Sequence, residues 1–358
     1  MNYSDGETDL IIADSIKLIG YRQKKLLLAS VNLAVQDREK YEQALIKMLG
    51  GGVYNKVKAL FTDADYRRGV LSALERRKVA CVTFKSADYP ARLKEIPAPP
   101  LVLYVRGRRE LLSGRLFAVV GSRRISAAMR EETKRVCAEL AAYVTIVSGV
   151  ADGGDSAAVT GALASGNVIC VLPGGHDADC CNNVNMLKRV ESEGLSVTEF
   201  PPETPVQRHT FTLRNRVMAG LSEGVLVVSA GRKSGALSTA RHAAEYSREV
   251  CAFPYGIGAG SGEGCNDLIK EGAALCVNAE DVLGVLGIEC GQAESDTAAQ
   301  LDGDEQAVFN LLKDEGEMHA EQLAAALNLT ITDIVTACSM LEIKGLIVRT
   351  GGNSFEAV

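Results

Sequence analysis

The sequence predicts an α/β protein: a Rossmann-like, doubly wound, mostly parallel sheet between an N-terminal helical module and a C-terminal winged-helix domain. Three observations carry this. From residue 115, short β-branched apolar runs alternate with helical stretches, the pattern of parallel strands covered on both faces. Residues 1–78 repeat apolar side chains at helical spacing. Residues 302–358 spell three helices followed by a hairpin.

In chain order, the helical module occupies 1–78. Its periodic stretches are "LIIADSIKLIGYRQKKLLLASV" and "YEQALIKML", broken by "GGG" at 50–52. Such glycine hinges sometimes bind DNA backbones. The core runs from 79 to 288 and opens with a leading extension, 79–114. There "VACVTF" and "LVLYVRG" read as strands, with "PAPP" between them excluding helix. Further strand candidates are "LFAVV", "VTIVS", "VICVL", "LSVTEF", "GVLVVSA" and "EVCAF". Helices are expected at "AAMREETKRVCAELAAY", "DSAAVTGALAS" and "LSTARHAAEYS". The polar stretch 289–301 reads as a linker. In the winged-helix domain, 302–358, Thr330 and Asp333 form a capping pair for the third helix, and the hairpin should turn at Gly351-Gly352.

A length of 358 residues with 47% apolar and 23% charged residues fits a protein of two to three globular domains. No run approaches the roughly 18 apolar residues of a membrane span, and the first 30 residues do not read as a signal peptide. A cytoplasmic protein without membrane partners is expected. None of the 10 cysteines forms a CxxC pair, and the one close pair is Cys180-Cys181. Neither a metal site nor a disulfide framework is indicated, so the cysteines are expected to be small buried hydrophobes. Charge is unevenly spread. Residues 1–106 hold 18 Lys+Arg against 12 Asp+Glu, a net +6. Residues 107–288 hold 18 against 20, and residues 289–358 hold 3 against 13, a net −10. Partners must therefore be sought locally.

Each strand of the core leads into an unusual loop: Gly121-Ser122-Arg123-Arg124, "GVADGGD", "PGGHD", a long segment reaching Arg214-Asn215-Arg216, and "GRKSGALS". Glycines let backbone N–H groups approach an anion, helix N-termini add positive potential, and Ser, Lys and Arg add donors. Five such loops at one sheet edge predict an extended phosphate- or nucleic-acid-binding surface. Arg214 and Arg216 are expected at the start of a helix, facing that surface. The alternative is that they pair with Glu199 and Glu203. Catalysis is poorly supplied: there are four histidines, and His176 reads as a solvated loop residue without a nucleophile beside it. Asp155 is expected to cap the helix that begins there. "VVGSRRISAA" lacks the GxGxxG dinucleotide fingerprint. "PGGHD" is similar to the PGGxGT loop of lysine-decarboxylase-like phosphoribohydrolases, but Ala178-Asp179-Cys180 stands in place of that family's Gly-Thr and Glu. A nucleotide enzyme of that type is the rival reading.

At these loops the sequence resembles the DprA (Smf) family of DNA-processing proteins. The resemblance rests on "DYPARLKEIPAPPLVLYVRG", "FAVVGSRR", "VSGVADGGDSAAVTGAL", "FTLRNRVMAGLS", "VVSAGRKSGALSTARHA", "REVCAFP" and "GCNDLIKEGA", in family order from residue 88 to about 274. The helical front, SAM-like, and the winged-helix tail also resemble common appendages of the family. The resemblance implies a core that binds and protects single-stranded DNA, forms a homodimer, and hands the strand to a RecA-type recombinase, usually during natural transformation. It implies no catalytic residues, cofactor or metal. Carried over, the DNA-contacting candidates are Gly121, Ser122, Arg123, Ser148, Gly149, Arg214, Asn215, Arg216, Lys233, Ser234 and Gly235. Phe211 stands where an aromatic ring would stack a base or lie in the core beneath the loop.

Departures from the family pattern are equally specific. Asp152 stands where an arginine is customary, Val159 where a histidine is, and Ser229 where a glutamate is; "GHDADCCNNV" replaces the usual "GLD..YP..N". Asp152 is expected to bring negative charge near the pocket. In the winged helix, Asp333 and Glu342 against Lys344 make duplex reading by the third helix unfavourable. Protein docking or regulation is expected of that domain instead.

Overall fold

The computed structural model describes residues 3–31, 36–180, 182–289, 301–343 and 346–357. The chain divides into two compact units, Met1–Glu289 and Cys290–Val358. Cys181, Cys290, Lys344 and nearly all of the expected linker lie outside the described residues.

The first unit begins with five helices: α1 (Asp5–Ser15), α2 (Tyr21–Val31), α3 (Arg38–Leu49), α4 (Gly51–Thr62) and α5 (Ala64–Arg76). Ser4 and Glu7 exchange side-chain and backbone hydrogen bonds, a capping box that fixes where α1 starts. The "GGG" break is a single residue: Gly50 takes φ +74°, while Gly51 and Gly52 enter the first turn of α4. Ile12, Ile16, Leu27, Leu45, Val57 and Phe61 form the core of this module.

There follow β1 (Ala80–Thr83), α6 (Ala91–Lys94), β2 (Val102–Gly107), a 3-10 turn at Arg109–Ser113, β3 (Leu116–Gly121), α7 (Ala127–Leu140) and β4 (Thr145–Ser148). Next come α8 (Gly154–Ala162), β5 (Val168–Val171), α9 (Val184–Glu193), β6 (Leu195–Thr198), α10 (Arg208–Leu221) and β7 (Gly224–Ser229). The unit closes with α11 (Ala236–Glu245), β8 (Glu249–Ala252), α12 (Glu263–Lys270), β9 (Ala274–Leu275) and α13 (Ala279–Val285). Among the described residues the strands form one sheet in the order β1-β2-β6-β5-β4-β3-β7-β8-β9. The leading pair is antiparallel, β1 to β2 and β2 to β6, and the other neighbours are parallel. β9, two residues long, carries too short a pattern to be expected from sequence. Alternate residues of β3 serve opposite faces: Ala118 and Val120 pack under α10, whereas Phe117 and Val119 pack under α7 and α8.

Leu10 and Ile11 of α1 pack with Cys81, Val102 and Tyr104, which docks the helical module on the antiparallel strands. At this contact the Tyr104 hydroxyl donates to Asp14 Oδ2 at 2.8 Å, and Lys24 Nζ meets Asp14 Oδ1 at 2.9 Å. The outer edge of β1 is closed by side chains. The Cys81 N–H donates to the Tyr3 hydroxyl at 2.9 Å, and the Thr83 N–H donates to Ser86 Oγ at 2.9 Å. Of the cysteines in the described residues, Cys81, Cys137, Cys170, Cys251, Cys265, Cys276 and Cys338 are buried, as expected, and Cys180 is half-buried.

The second unit contains α14 (Gly303–Glu315), β10 (Met318–His319), α15 (Ala320–Leu327), α16 (Ile331–Ile343), β11 (Ile347–Gly351) and β12 (Ser354–Ala357). Val308, Leu323, Ile334, Cys338, Leu341 and Phe355 make its core. Thr330 Oγ1 accepts the Asp333 N–H at 3.2 Å, the expected cap. The hairpin turn sits one residue later than the sequence implies: Gly351 still pairs with Ser354, and Gly352 takes φ +56°. No single helix among the described residues is long and apolar enough to cross a membrane.

Tyr104→Phe leaves the Asp14 carboxylate short of one hydrogen bond in a buried contact. It should lower the stability of the protein by about 1.5–3 kcal/mol, read as a lower urea midpoint at unchanged slope.

Candidate nucleic-acid interface

The sheet order reverses beside β3: β4, β5 and β6 lie to one side of it, while β7, β8 and β9 lie to the other. In such sheets the crevice beyond the carboxyl ends at the reversal is where ligands bind. Here the loop after β3, Gly121–Arg124, faces the loop after β7, Ala230–Gly235. Ser122 N–H donates to Ser229 O at 2.8 Å, and the Ser122 and Ser234 hydroxyls lie 3.3 Å apart. Gly153, at φ +89°, brings the loop after β4 against the same turn. A Cβ there would lie 2.3 Å from Ser122 O, so only glycine fits.

These loops and α10 enclose a cleft of about 480 Å³. Gly121, Ser122, Arg123, Phe211, Arg214, Asn215, Ser234 and Gly235 line it. Arg123 stands over the Phe211 ring, its guanidinium carbon 5.5 Å from the centroid. Phe211 is therefore a half-exposed wall of the cleft rather than a core residue. Asn215 Nδ2 donates to Gly235 O at 3.3 Å, tying α10 to the start of α11.

Arg214 does not occupy a helix start, as the sequence suggested; it lies in the middle of α10 and is 5% exposed. Its Nη1 donates to Val171 O at 3.1 Å, its Nε to Asn215 Oδ1 at 3.1 Å, and its Nη2 lies 3.8 Å from Asp155 Oδ2. Gly149 makes room for this pair, because a Cβ there would stand 2.0 Å from Arg214 Nη1 and 2.1 Å from Asp155 Oδ2. Asp155 is correspondingly no cap. It sits inside the first turn of α8 and accepts the Gly121 N–H at 3.2 Å. Burial raises its pKa while Arg214 and that N–H oppose the rise; burial lowers the pKa of Arg214 while Asp155 opposes the fall.

Other candidates fall outside the cleft. Ser148 is buried and donates to Val119 O at 2.7 Å. Arg216 turns to another side of α10, where it pairs with Glu199 and donates to Ala98 O at 2.6 Å. The pairing alternative thus holds for Arg216 with Glu199, whereas Glu203 pairs with Arg77 and Lys17. Lys233 is exposed beside the cleft rather than in its wall. Asp152, the departure that threatened to add negative charge, accepts a hydrogen bond from Asn182 Nδ2 at 2.7 Å and is not in the cleft wall. Val159 is buried under the sheet, and Ser229 Oγ donates to Ser261 O at 3.0 Å. His176 is not solvated. It is buried with Nε2 3.0 Å from Ser196 Oγ, and burial together with Arg106 pushes its pKa down to about 3, so it stays neutral.

Arg208 and Met218 also line the cleft, and sequence reading passed over both. The signal was present: 208, 211, 215 and 218 recur at helical spacing and lie on one face of α10. Thr239, likewise missed, is 1% exposed and its hydroxyl makes no hydrogen bond. Among the described residues no cluster of His, Cys, Asp and Glu could hold a metal.

Burial raises the Glu199 carboxyl to about 7 despite Arg216. A carboxyl raised in the folded state binds more protons there than in the unfolded chain, so its contribution weakens as pH rises from about 4.5 to 7. Over that window the wild-type protein should lose stability relative to Glu199→Gln. Denaturation midpoints that run parallel for the two proteins would refute this.

The family model described as DNA recombination-mediator protein A matches residues 80–287, and a DprA winged-helix model matches residues 292–353. The DNA processing protein DprA of Bacillus subtilis is 36% identical over 220 residues, covering 60% of this chain and 73% of its own. Among solved structures, DNA processing protein A of Streptococcus pneumoniae superposes with a TM-score of 0.66 at 30% identity, over 79% of this chain and 98% of that one. The Helicobacter pylori protein, described for its single-stranded DNA binding mode, gives 0.53 at 26% identity, over 58% and 95%. With the core model spanning more than half of the polypeptide and the winged-helix model directly after it, the chain belongs to the DNA recombination-mediator protein A (DprA) family.

Proposed function

We propose that this protein binds and protects single-stranded DNA in the cleft at the sheet reversal and passes it to a RecA-type recombinase during transformation, without catalysing a reaction. The observation that carries the reading is the cleft itself, where exposed cations border an aromatic wall. Arg123 and Arg208 line it, Lys233 stands beside it, and the Phe211 face lies under Arg123. Cations supply sequence-independent affinity for phosphates, and an aromatic face supplies stacking for unpaired bases. The described binding mode of the Helicobacter pylori neighbour supports the same ligand. Gly121, Ser122, Ser234 and Gly235 contribute backbone and hydroxyl donors. Arg214, Asn215, Ser148 and Gly149 act by building the cleft, and Arg216 by holding α10 in place. Recombinase delivery draws on the family description as a recombination mediator. Homodimerisation through the core is supported by the β9 edge, which leaves Leu275 and Val277 exposed. A cytoplasmic site of action goes with this role.

In titrations of labelled oligothymidine followed by anisotropy, Arg123→Ala with Lys233→Ala should weaken binding to all sequences. It should also flatten the log–log salt slope by about 1.4, or roughly 0.7 for each phosphate no longer neutralised. Arg216→Ala should leave that slope unchanged, because its charge is already paired. An unaltered slope in the double variant would refute the assignment. Release of free base from nucleoside monophosphates by the purified protein would favour the rival nucleotide-enzyme reading.

A further inference from the structure

β8 runs into a stretch the phosphate-binding loops leave unexplained, "FPYGIGAGSGEG" at 253–264. Its foot is firmly held. The Tyr255 N–H donates to Asn266 Oδ1 at 3.0 Å, Asn266 Nδ2 donates back to Tyr255 O at 2.9 Å, and the Tyr255 hydroxyl donates to Val228 O at 2.8 Å. The Tyr255 ring also packs on Gly262, where a Cβ would fall 1.8 Å from a ring carbon. Above the foot the tip is a turn held by its own backbone, the Ala259 N–H donating to Gly256 O at 3.2 Å. At Gly256, Gly258 and Gly260 a Cβ would meet nothing within 4 Å, and Gly258 takes φ +84°. Between them Ile257 is fully exposed, at 109%, whereas no other large exposed apolar side chain among the described residues exceeds 53%.

The tip also stands in a particular place. Ser229 Oγ reaches Ser261 O at 3.0 Å, the Gly264 N–H donates to Ala230 O at 2.7 Å, and a Cβ on Gly231 would lie 3.0 Å from Gly260 O. The loop after β8 is therefore the immediate neighbour of the loop after β7, whose Ser234 and Gly235 form the cleft wall. Arg232 faces Glu263 and Asp267 at 3.5 Å each, and Lys270 lies 3.9 Å from Asp267, so two cations match the two acids at the foot. Lys233 is, with Arg232, an exposed cation of that neighbouring loop.

We infer that the Gly256–Gly260 tip is a second DNA station, where Ile257 inserts against the unstacked bases of a strand leaving the cleft past Ser234 and Lys233. This rests on the single-stranded DNA reading above. Apolar wedges inserted between base steps are an established protein device, and in a duplex each insertion costs unstacking energy. Flanking glycines present no side chain to obstruct a phosphate backbone. A duplex would have to unstack before accepting the wedge, so the station favours single strands.

The chain contains no tryptophan, so Ile257→Trp places a single indole at the tip. Oligothymidine should quench its emission. It should not quench that of Tyr143→Trp, placed just before β4 at the opposite end of the strands. Ile257→Ala should weaken oligothymidine binding on the order of fivefold, with Ile257→Phe restoring it. Full-strength binding by Ile257→Ala together with an unquenched indole would overturn the inference while leaving the cleft assignment standing. A change of oligomeric mass in Ile257→Ala at unchanged affinity would mark the tip as a protein contact and overturn it too. Failure of the unaltered protein to bind oligothymidine would remove the DNA reading itself and the second station with it.

Discussion

Everything at the sheet reversal is arranged around one buried ion pair, Asp155 with Arg214. A charge taken from water without a partner is too costly to keep, and a buried pair holds only when its remaining donors and acceptors are met. Here they are met by Val171 O, Asn215 Oδ1 and the Gly121 N–H. The pair thereby ties α8 to α10 and both to the ends of β3 and β5. Gly149 is the complement of this arrangement, since any side chain there would occupy the position of the guanidinium.

Pairing inside leaves the task of attracting anions to residues outside. Arg214 and Arg216 each face an acid, whereas Arg123, Arg208 and Lys233 border open space. The surface cations are exposed to solvent, which suits a ligand whose sequence varies. The buried pair is fixed, which suits a scaffold. An acidic protein can present a locally positive cleft because its excess negative charge is concentrated in the last 70 residues of the sequence, whereas the residues that line the cleft fall between 120 and 239.

Much of the fold was legible because parallel strands covered on both faces leave continuous apolar runs, and every run from "LFAVV" to "EVCAF" became a strand. The loops were legible because glycine beyond a strand end marks a close backbone approach, as at Gly149 and Gly153. Burial was much less legible. Nothing in "RNR" distinguishes the arginine that sinks beside Asp155 from the one that meets Glu199; the difference comes from which side of α10 packs on the sheet. His176 looked solvated because its loop is polar, yet Ser196 and Arg106, both distant in sequence, enclose it. Arg208 and Met218 were recoverable from helical spacing once α10 was known to start at 208 rather than at the arginine cluster.

The two margins of the large sheet are unlike. Along β1 the outward N–H groups of Cys81 and Thr83 are already taken by the Tyr3 hydroxyl and Ser86 Oγ. A foreign strand finds no vacant donor there, so that margin is blocked as a template for aggregation. At β9 the opposite margin is only two residues long. Growth by strand addition therefore has a single short place to begin. Two copies meeting there face to face exhaust it, so an assembly formed this way stops at a closed pair instead of extending into a fibre.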